Sequence, residues 1–518
     1  MELKLTSAWR RWILLTGLIL LLWALPLSRP DSPHFNSIAH AGFFNNDLET
    51  FEEIVDLVAE KYVYSPDHKK LFTTAIEKMI KIVDSKSLGL TSSQSGSAIT
   101  FNNKTIKYNL NYDLSHNMDE LQKIYYFIQD QSKNSLSQKD LEVAAIRGIL
   151  DSLDSYSQYL DKSAFEKSMR DTEGKYGGLG MVITMKDNQL YVVKTMDDSP
   201  AKEAGILTDD SFLRVNGKDI KGLQIQELAD LLRGYPETKV TITLYRPSEK
   251  QKYTHTLTRR IILVNTVEYD NLDNQIGYFK INSFSKLTEK QLKKYLVQAK
   301  KEKVKGVILD LRGNPGGLLH QSVKVASHFL FKGRMVVYTQ GRSKDDYREY
   351  RSLYEKNLHK MPVVVLINQY SASASEIVAG ALRDSGNALI MGENSYGKGS
   401  VQTIFRISDG SGVRLTTSKY FTPSGIDITK NGVIPEIHII NDIIDQDSDT
   451  NKERRDSERH LSLKVSSLKK FFDKQGVVLT NTHDASVELA RRILKNSNTA
   501  NKKRSLEKAR EIAANINY

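Results

Sequence analysis

The sequence predicts a multidomain α/β protein: a helical N-terminal region, a β-rich module, an α/β core and a helical C-terminal tail. Three observations carry this. At 518 residues the chain exceeds what one ordinary core can bury. The apolar periodicity changes from helical spacing to short strands near 165, and from about 262 strands alternate with helices. The hydrophobic content of 40% and charged content of 26% are ordinary for globular domains.

At the N-terminus Lys4, Arg10 and Arg11 precede the uncharged run WILLTGLILLLWALPL, residues 12–27. As a helix it would span about 24 Å, short of a hydrocarbon core of about 30 Å. A basic flank and a short apolar run read as an export signal, with Ala39-His40-Ala41 as a cleavage site. An uncleaved membrane anchor through residues 12–27 is the alternative, and both place the remaining chain outside the cytoplasm. Cysteine is absent, which excludes disulfides, thiolate metal sites and a cysteine nucleophile. The net charge of +12 is dispersed, and no aromatic-interleaved basic module accompanies it, so nucleic acid is not an expected partner.

Residues 42–165 read as helices with a weak internal repeat. Shifting the chain by 70 aligns FEEIVDLV (51–58) with LQKIYYFI, and LFTTAIEKMIKIVDSKS (71–87) with LEVAAIRGILDSLDSYS. The polar stretch SSQSGSAITFNNKTIKYN between them reads as a loop or small hairpin. Residues 166–262 form the β-rich module. Its elements are a hairpin through Lys186-Asp187-Asn188, a short helix at SPAKEAGI, an Asn-Gly turn, and a helix with Ile225, Leu228 and Leu232 on one face. Residues 263–440 hold the α/β core, with GVILD and VVVLI as buried strands. The tail, 441–518, is expected to pack on the core or on a second subunit.

MGENSYGKGS (391–400) contains Gly392-x-x-x-x-Gly397-Lys398, one residue short of a phosphate-binding loop. Gly399 removes the metal-binding hydroxyl, and the following VQTIFRISDG reads as a strand where such a loop must open a helix. Nucleotide binding is therefore not the expected reading. Lys398 finds a partner upstream in YSASASEIVAGAL, where three serines alternate with alanine between a buried strand and a helix. A single serine there is an N-cap; three exceed that need. The glycines of RGNPGG offer a second set of free amides. Among the histidines only His320 follows such a loop, and no triad motif surrounds it. A lysine serves as base only when neutral, about one in 2500 at pH 7 unless burial lowers its pKa. Gln402, four positions on, lies on the same face and can orient the amine.

On these residues the chain resembles the C-terminal processing (tail-specific) serine proteases, whose Ser–Lys catalytic domain is interrupted by a PDZ domain. The resemblance rests on SLDSYSQYL, YGGLGMVI, SPAKEAGI, VILDLRGNPGGLL, SASASEIVAGALRDSG, YGKGSVQ, LTTSKYFTPSG and VIPEI. It implies a crotonase-like core with Ser373 as nucleophile, Lys398 as general base and Gln402 as the orienting third member. It further implies Ala374 and Gly316 or Gly317 as oxyanion donors and Asp384 as a structural aspartate. Gly177, Gly178, Leu179 and Gly180 would bind a peptide C-terminus in the PDZ domain. No metal or organic cofactor is expected, and the expected partners are polypeptides with exposed C-termini. An adaptor or regulatory protein, a homodimer through the extra helices, and a catalytically silent PDZ scaffold stand as further alternatives. One departure is Asp209-Asp210, where relatives carry Gly-Asp, so that turn is expected to differ.

Overall fold

The computed structural model describes residues 47–83, 88–93, 96–101, 104–132, 136–355, 358–429, 431–440, 461–480, 483–496 and 502–516. The apolar run 12–27 and the Ala39-His40-Ala41 site lie outside these residues. Among the described residues no helix is long and apolar enough to cross a membrane.

The α/β core is built on a seven-stranded sheet. Strands Ile276–Ile281, Gly306–Asp310, Val363–Ile367, Ala388–Gly392, Ile437–Ile440 and Leu461–Lys464 run parallel, and Val267–Leu272 is an antiparallel edge. Gly306–Asp310 and Val363–Ile367 are buried along their whole length because both sheet faces are covered. Val307, Leu309, Val363, Val365 and Ile367 meet helices Thr288–Lys301, Leu319–Ser327 and Ala374–Asp384 on one face. Ile308, Val364 and Leu366 point to the other face and pack against the tail helices Val465–Lys474, Ala485–Asn496 and Lys502–Ile516. The tail thus covers the back of the core.

A five-stranded sheet stands beside it, ordered Arg348–Arg351, Met335–Gln340, Gly412–Phe421, Ser400–Arg406, with the short strand Gln158–Leu160 also on Gly412–Phe421. The N-terminal helices latch onto this sheet: the Val63 amide donates to the Thr416 carbonyl at 3.0 Å. Within that region helices His68–Ile82 and Gln138–Leu153 are capped by Asp67 and Ser137, which stand 70 positions apart and accept from the amides of Lys70 and Asp140 respectively. A Cβ on Gly148 would lie 2.5 Å from the Thr74 carbonyl, so the two helices cross backbone to backbone. The polar stretch between the helix pairs is a three-stranded antiparallel sheet, larger than the loop or hairpin expected. Ile99 and Phe101 alternate inward there, while Thr100 and Thr105 pair hydroxyls on the outer side.

The β-rich module is a six-stranded sheet closed by a ribbon of Lys175–Gly178 with Arg260–Leu263, so the chain enters and leaves the module side by side. The change from helix to strand falls later than 165: helix Lys162–Glu173 comes first and stops at Gly174, φ +70°. In the module, Leu228 and Leu232 are buried, but Ile225 is exposed along a cleft. Asp209 takes φ +67°, a left-handed conformation more usual for glycine. Asp210, buried, forks onto Arg246 at 2.8 and 2.9 Å.

Candidate active site

The three alternating serines have separate roles. Ser371 donates to the Leu311 carbonyl at 2.9 Å and Ser375 to the Asn314 carbonyl at 3.0 Å, both fully buried. They fasten the RGNPGG loop to the start of helix Ala374–Asp384. Ser373 between them is partly exposed and faces a cavity of about 550 Å³. Its backbone sits at φ +54°, ψ −111°, a strained conformation for a residue with a Cβ, at a sharp strand-to-helix turn.

Gly316 (φ +102°) passes so close that an added Cβ would lie 2.8 Å from Ser373 Cβ and 3.0 Å from the Ala374 amide. The Gly316 amide donates to Asn314 Oδ1 at 2.9 Å. The Gly317 and Ala374 amides have no acceptor among the described residues. Of the two loop glycines, Gly317 is therefore the one with a free donor. Gly316 and Gly317 line the same cavity as Ser373, Lys398 and Gln402.

Lys398 lies between strands Ala388–Gly392 and Ser400–Arg406, with no helix after the loop, so the phosphate-loop geometry is absent. Gly397 takes φ +90°, and a Cβ on Gly399 would lie 2.4 Å from Thr429 Oγ1. These glycines allow the backbone to press inward and leave the lysine half-buried. Its Nζ stands 4.9 Å from the centroid of the Tyr156 ring. Burial, and after it the Arg414 guanidinium, push its pKa down, against Glu376 and Asp154. Gln402 lines the cavity, but its amide nitrogen donates to Ser400 Oγ at 2.9 Å. A bulge between Val401 and Gln402 interrupts the strand alternation here.

Glu376 is the residue that sequence reasoning missed. Fully buried, it accepts from the amides of Ser373 (2.7 Å), Gly397 (2.7 Å) and Lys398 (3.0 Å) and from Ser395 Oγ (2.5 Å). One carboxyl thereby ties the serine turn to the lysine loop. Burial pushes its pKa up, opposed by these donors. Its signal was present as S-x-x-E, a capping box, but the spacing shows only the local bond. Tyr420 completes the junction, donating its hydroxyl to the Lys398 carbonyl.

Asp384 sits at the far end of the same helix and does not line the cavity. It accepts from Ser424 Oγ at 2.6 Å and its amide at 3.1 Å, pinning the turn after Tyr420. His320 is exposed on its helix and stays outside the cavity lining. In the β-rich module Gly178, Leu179 and Gly180 line a cleft of about 180 Å³ with Ile225, Ala229 and Leu232. Gly177 does not: its carbonyl accepts from Gly234, and a Cβ there would lie 2.1 Å from the Gly234 oxygen.

Residues 275–439 match peptidase family S41 and residues 191–246 match the PDZ domain. The chain is 39% identical to a carboxy-terminal-processing protease of Bartonella bacilliformis over 66% of its own length and 77% of that protein's. It is 36% identical to the carboxy-terminal processing protease CtpA of Bacillus subtilis, over 62% and 68% of the two chains. The solved photosystem II D1 C-terminal processing protease is 26% identical, covers 76% of this chain and 93% of its own, and superposes with a TM-score of 0.41. The chain is thus a PDZ-containing member of the carboxy-terminal processing proteases, peptidase family S41.

Proposed function

We propose that the chain is an exported serine endopeptidase that works by a Ser373–Lys398 dyad and recognises substrate C-termini through its PDZ cleft. The observation that carries the reading is the junction at Glu376, which holds a strained serine and a half-buried lysine on one cavity. Ser373 Oγ attacks the scissile carbonyl and its proton passes to neutral Lys398. The developing oxyanion takes the amides of Ala374 and Gly317. Lys398, now charged, gives the proton to the leaving amine; neutral again, it takes a proton from water as the water attacks the acyl-enzyme, and returns it to Ser373 Oγ as the carboxylic acid leaves. The Gln402 amide nitrogen is engaged by Ser400, which leaves its oxygen to accept from the Lys398 amine.

At the PDZ cleft an extended peptide adds to strand Met181–Lys186, its apolar end against Ile225, Ala229 and Leu232. The N-terminal run 12–27 supplies export, with or without removal. The test is cleavage of an unstructured peptide with an apolar free C-terminus, followed by mass spectrometry. Wild type should cut and Ser373→Ala should not; equal cutting by both excludes Ser373.

A further inference from the structure

Two side chains outside the proposed Ser–Lys–Gln set stand by Lys398: Arg414, which lines the same cavity, and Tyr156, whose ring lies under Nζ. Arg414 lies on strand Gly412–Phe421 and lines the same cavity as Lys398. Its hydrogen-bond partner is neutral: Nη2 donates to Ser168 Oγ at 3.1 Å. Asp171, which lines the same cavity, acts on it through space without an ion-pair contact among the described residues. A half-buried guanidinium with no carboxylate in contact raises the cost of a second cation in that cavity.

Tyr156 approaches Lys398 from the turn that follows helix Gln138–Leu153. Asp154 locks this turn by accepting from the amides of Tyr156 (2.7 Å) and Ser157 (2.8 Å) and from Thr416 Oγ1 (3.2 Å). The ring face therefore lies fixed beneath Nζ, 4.9 Å from its centroid, a placement that attracts an ammonium and not an amine. The other groups facing the lysine are Glu376 from helix Ala374–Asp384, the Tyr420 hydroxyl from the Arg414 strand, and Asp154 itself. Tyr396 borders the Tyr156 hydroxyl.

We propose that Arg414 and Tyr156 are opposed positioning residues for Lys398: the guanidinium favours the neutral amine that accepts the serine proton, and the ring face holds the charged resting form. The N-terminal helical region, through Tyr156, then enters the chemistry directly and is more than a support.

This rests on the lysine-base reading, and the experiment separates the two. The full chain is compared as wild type, Arg414→Gln, Arg414→Lys, Tyr156→Leu, Tyr156→Phe and Lys398→Ala, with kcat/KM for peptide cleavage measured from pH 5 to 10. Arg414→Gln should move the rising limb to higher pH by on the order of one unit, about tenfold slower below the limb, while Arg414→Lys keeps it in place. Tyr156→Leu should move the limb to lower pH by roughly half a unit, and Tyr156→Phe, which keeps the ring face, should not. If a variant turns over too slowly, the rate of Ser373 labelling by a fluorophosphonate over the same pH range gives the limb. Limbs that stay with wild type, or shift in the same direction, overturn the proposal while loss of activity in Lys398→Ala leaves the dyad standing. A Lys398→Ala enzyme that cuts like wild type overturns the dyad itself.

Discussion

Ser373 and Lys398 come from loops 25 positions apart in the chain, and their relation is fixed by a residue whose carboxylate binds the backbone of both. Glu376 accepts from both backbones, so its loss would let the serine turn relax from φ +54°. In Glu376→Gln one acceptor becomes an NH₂ facing an amide donor, a buried mismatch of about 1–3 kcal/mol. Cleavage should fall by roughly 10- to 100-fold, read as kcat with KM little changed. In the proposed dyad the lysine sets the pH dependence: its pKa is lowered, chiefly by burial, and the dyad requires the neutral form. Activity should therefore rise with pH through that ionisation, below the ordinary lysine value of about 10.4; a flat profile from pH 5 to 10 would contradict it. Ser373, Lys398 and Gln402 were legible because each sits in a motif of unusual local composition. Glu376 was visible only as a cap, and Arg414 and Tyr156 not at all, since their approach to Lys398 depends on pairing between distant strands.

At the scale of elements, strands such as VVVLI and helices such as SEIVAGALRD follow from apolar runs and spacing. The sheet between the N-terminal helix pairs did not, because Thr100, Thr105 and Lys107 share one face of its second and third strands while Ile99, Phe101 and Tyr108 are buried on the other, too short an alternation to stand out. Ile225 fits the apolar face of its helix by spacing, yet it borders a cleft; periodicity cannot tell a core from a binding groove. Where helices His68–Ile82 and Gln138–Leu153 cross, Gly148 admits no side chain. Gly148→Val should destabilise the chain by about 2 kcal/mol or more, measured by urea unfolding. In the tail, Glu488 is buried and its pKa is lowered to about 2, because Arg491, His483 and Arg492 outweigh the effect of burial. That contribution is complete above the unfolded glutamate value of about 4.3 and is lost as pH falls from there towards 2. Hydrogen exchange of 485–496, corrected for intrinsic rates, should accelerate between pH 6 and pH 3.

Across the whole molecule, the inserted module is attached through one paired ribbon, while the helical regions at both ends of the chain brace the catalytic sheets. On the proposed function this arrangement would separate substrate capture from cleavage. Ile225→Asp places a charge in the PDZ cleft, remote in sequence from the serine and lysine loops. It should raise KM about tenfold or more for substrates with an apolar free C-terminus and leave kcat nearly unchanged. An equal loss on kcat would show that the cleft also gates the cavity.

The most direct test of the central claim, that Lys398 activates Ser373, is covalent. Wild type and Lys398→Ala are treated with a fluorophosphonate at pH 8, and the adduct is located by peptide mass spectrometry. A single adduct on Ser373, formed at least about a hundredfold more slowly in Lys398→Ala, is the predicted result. An adduct on another residue, or labelling of Ser373 at the same rate in both proteins, would contradict the account.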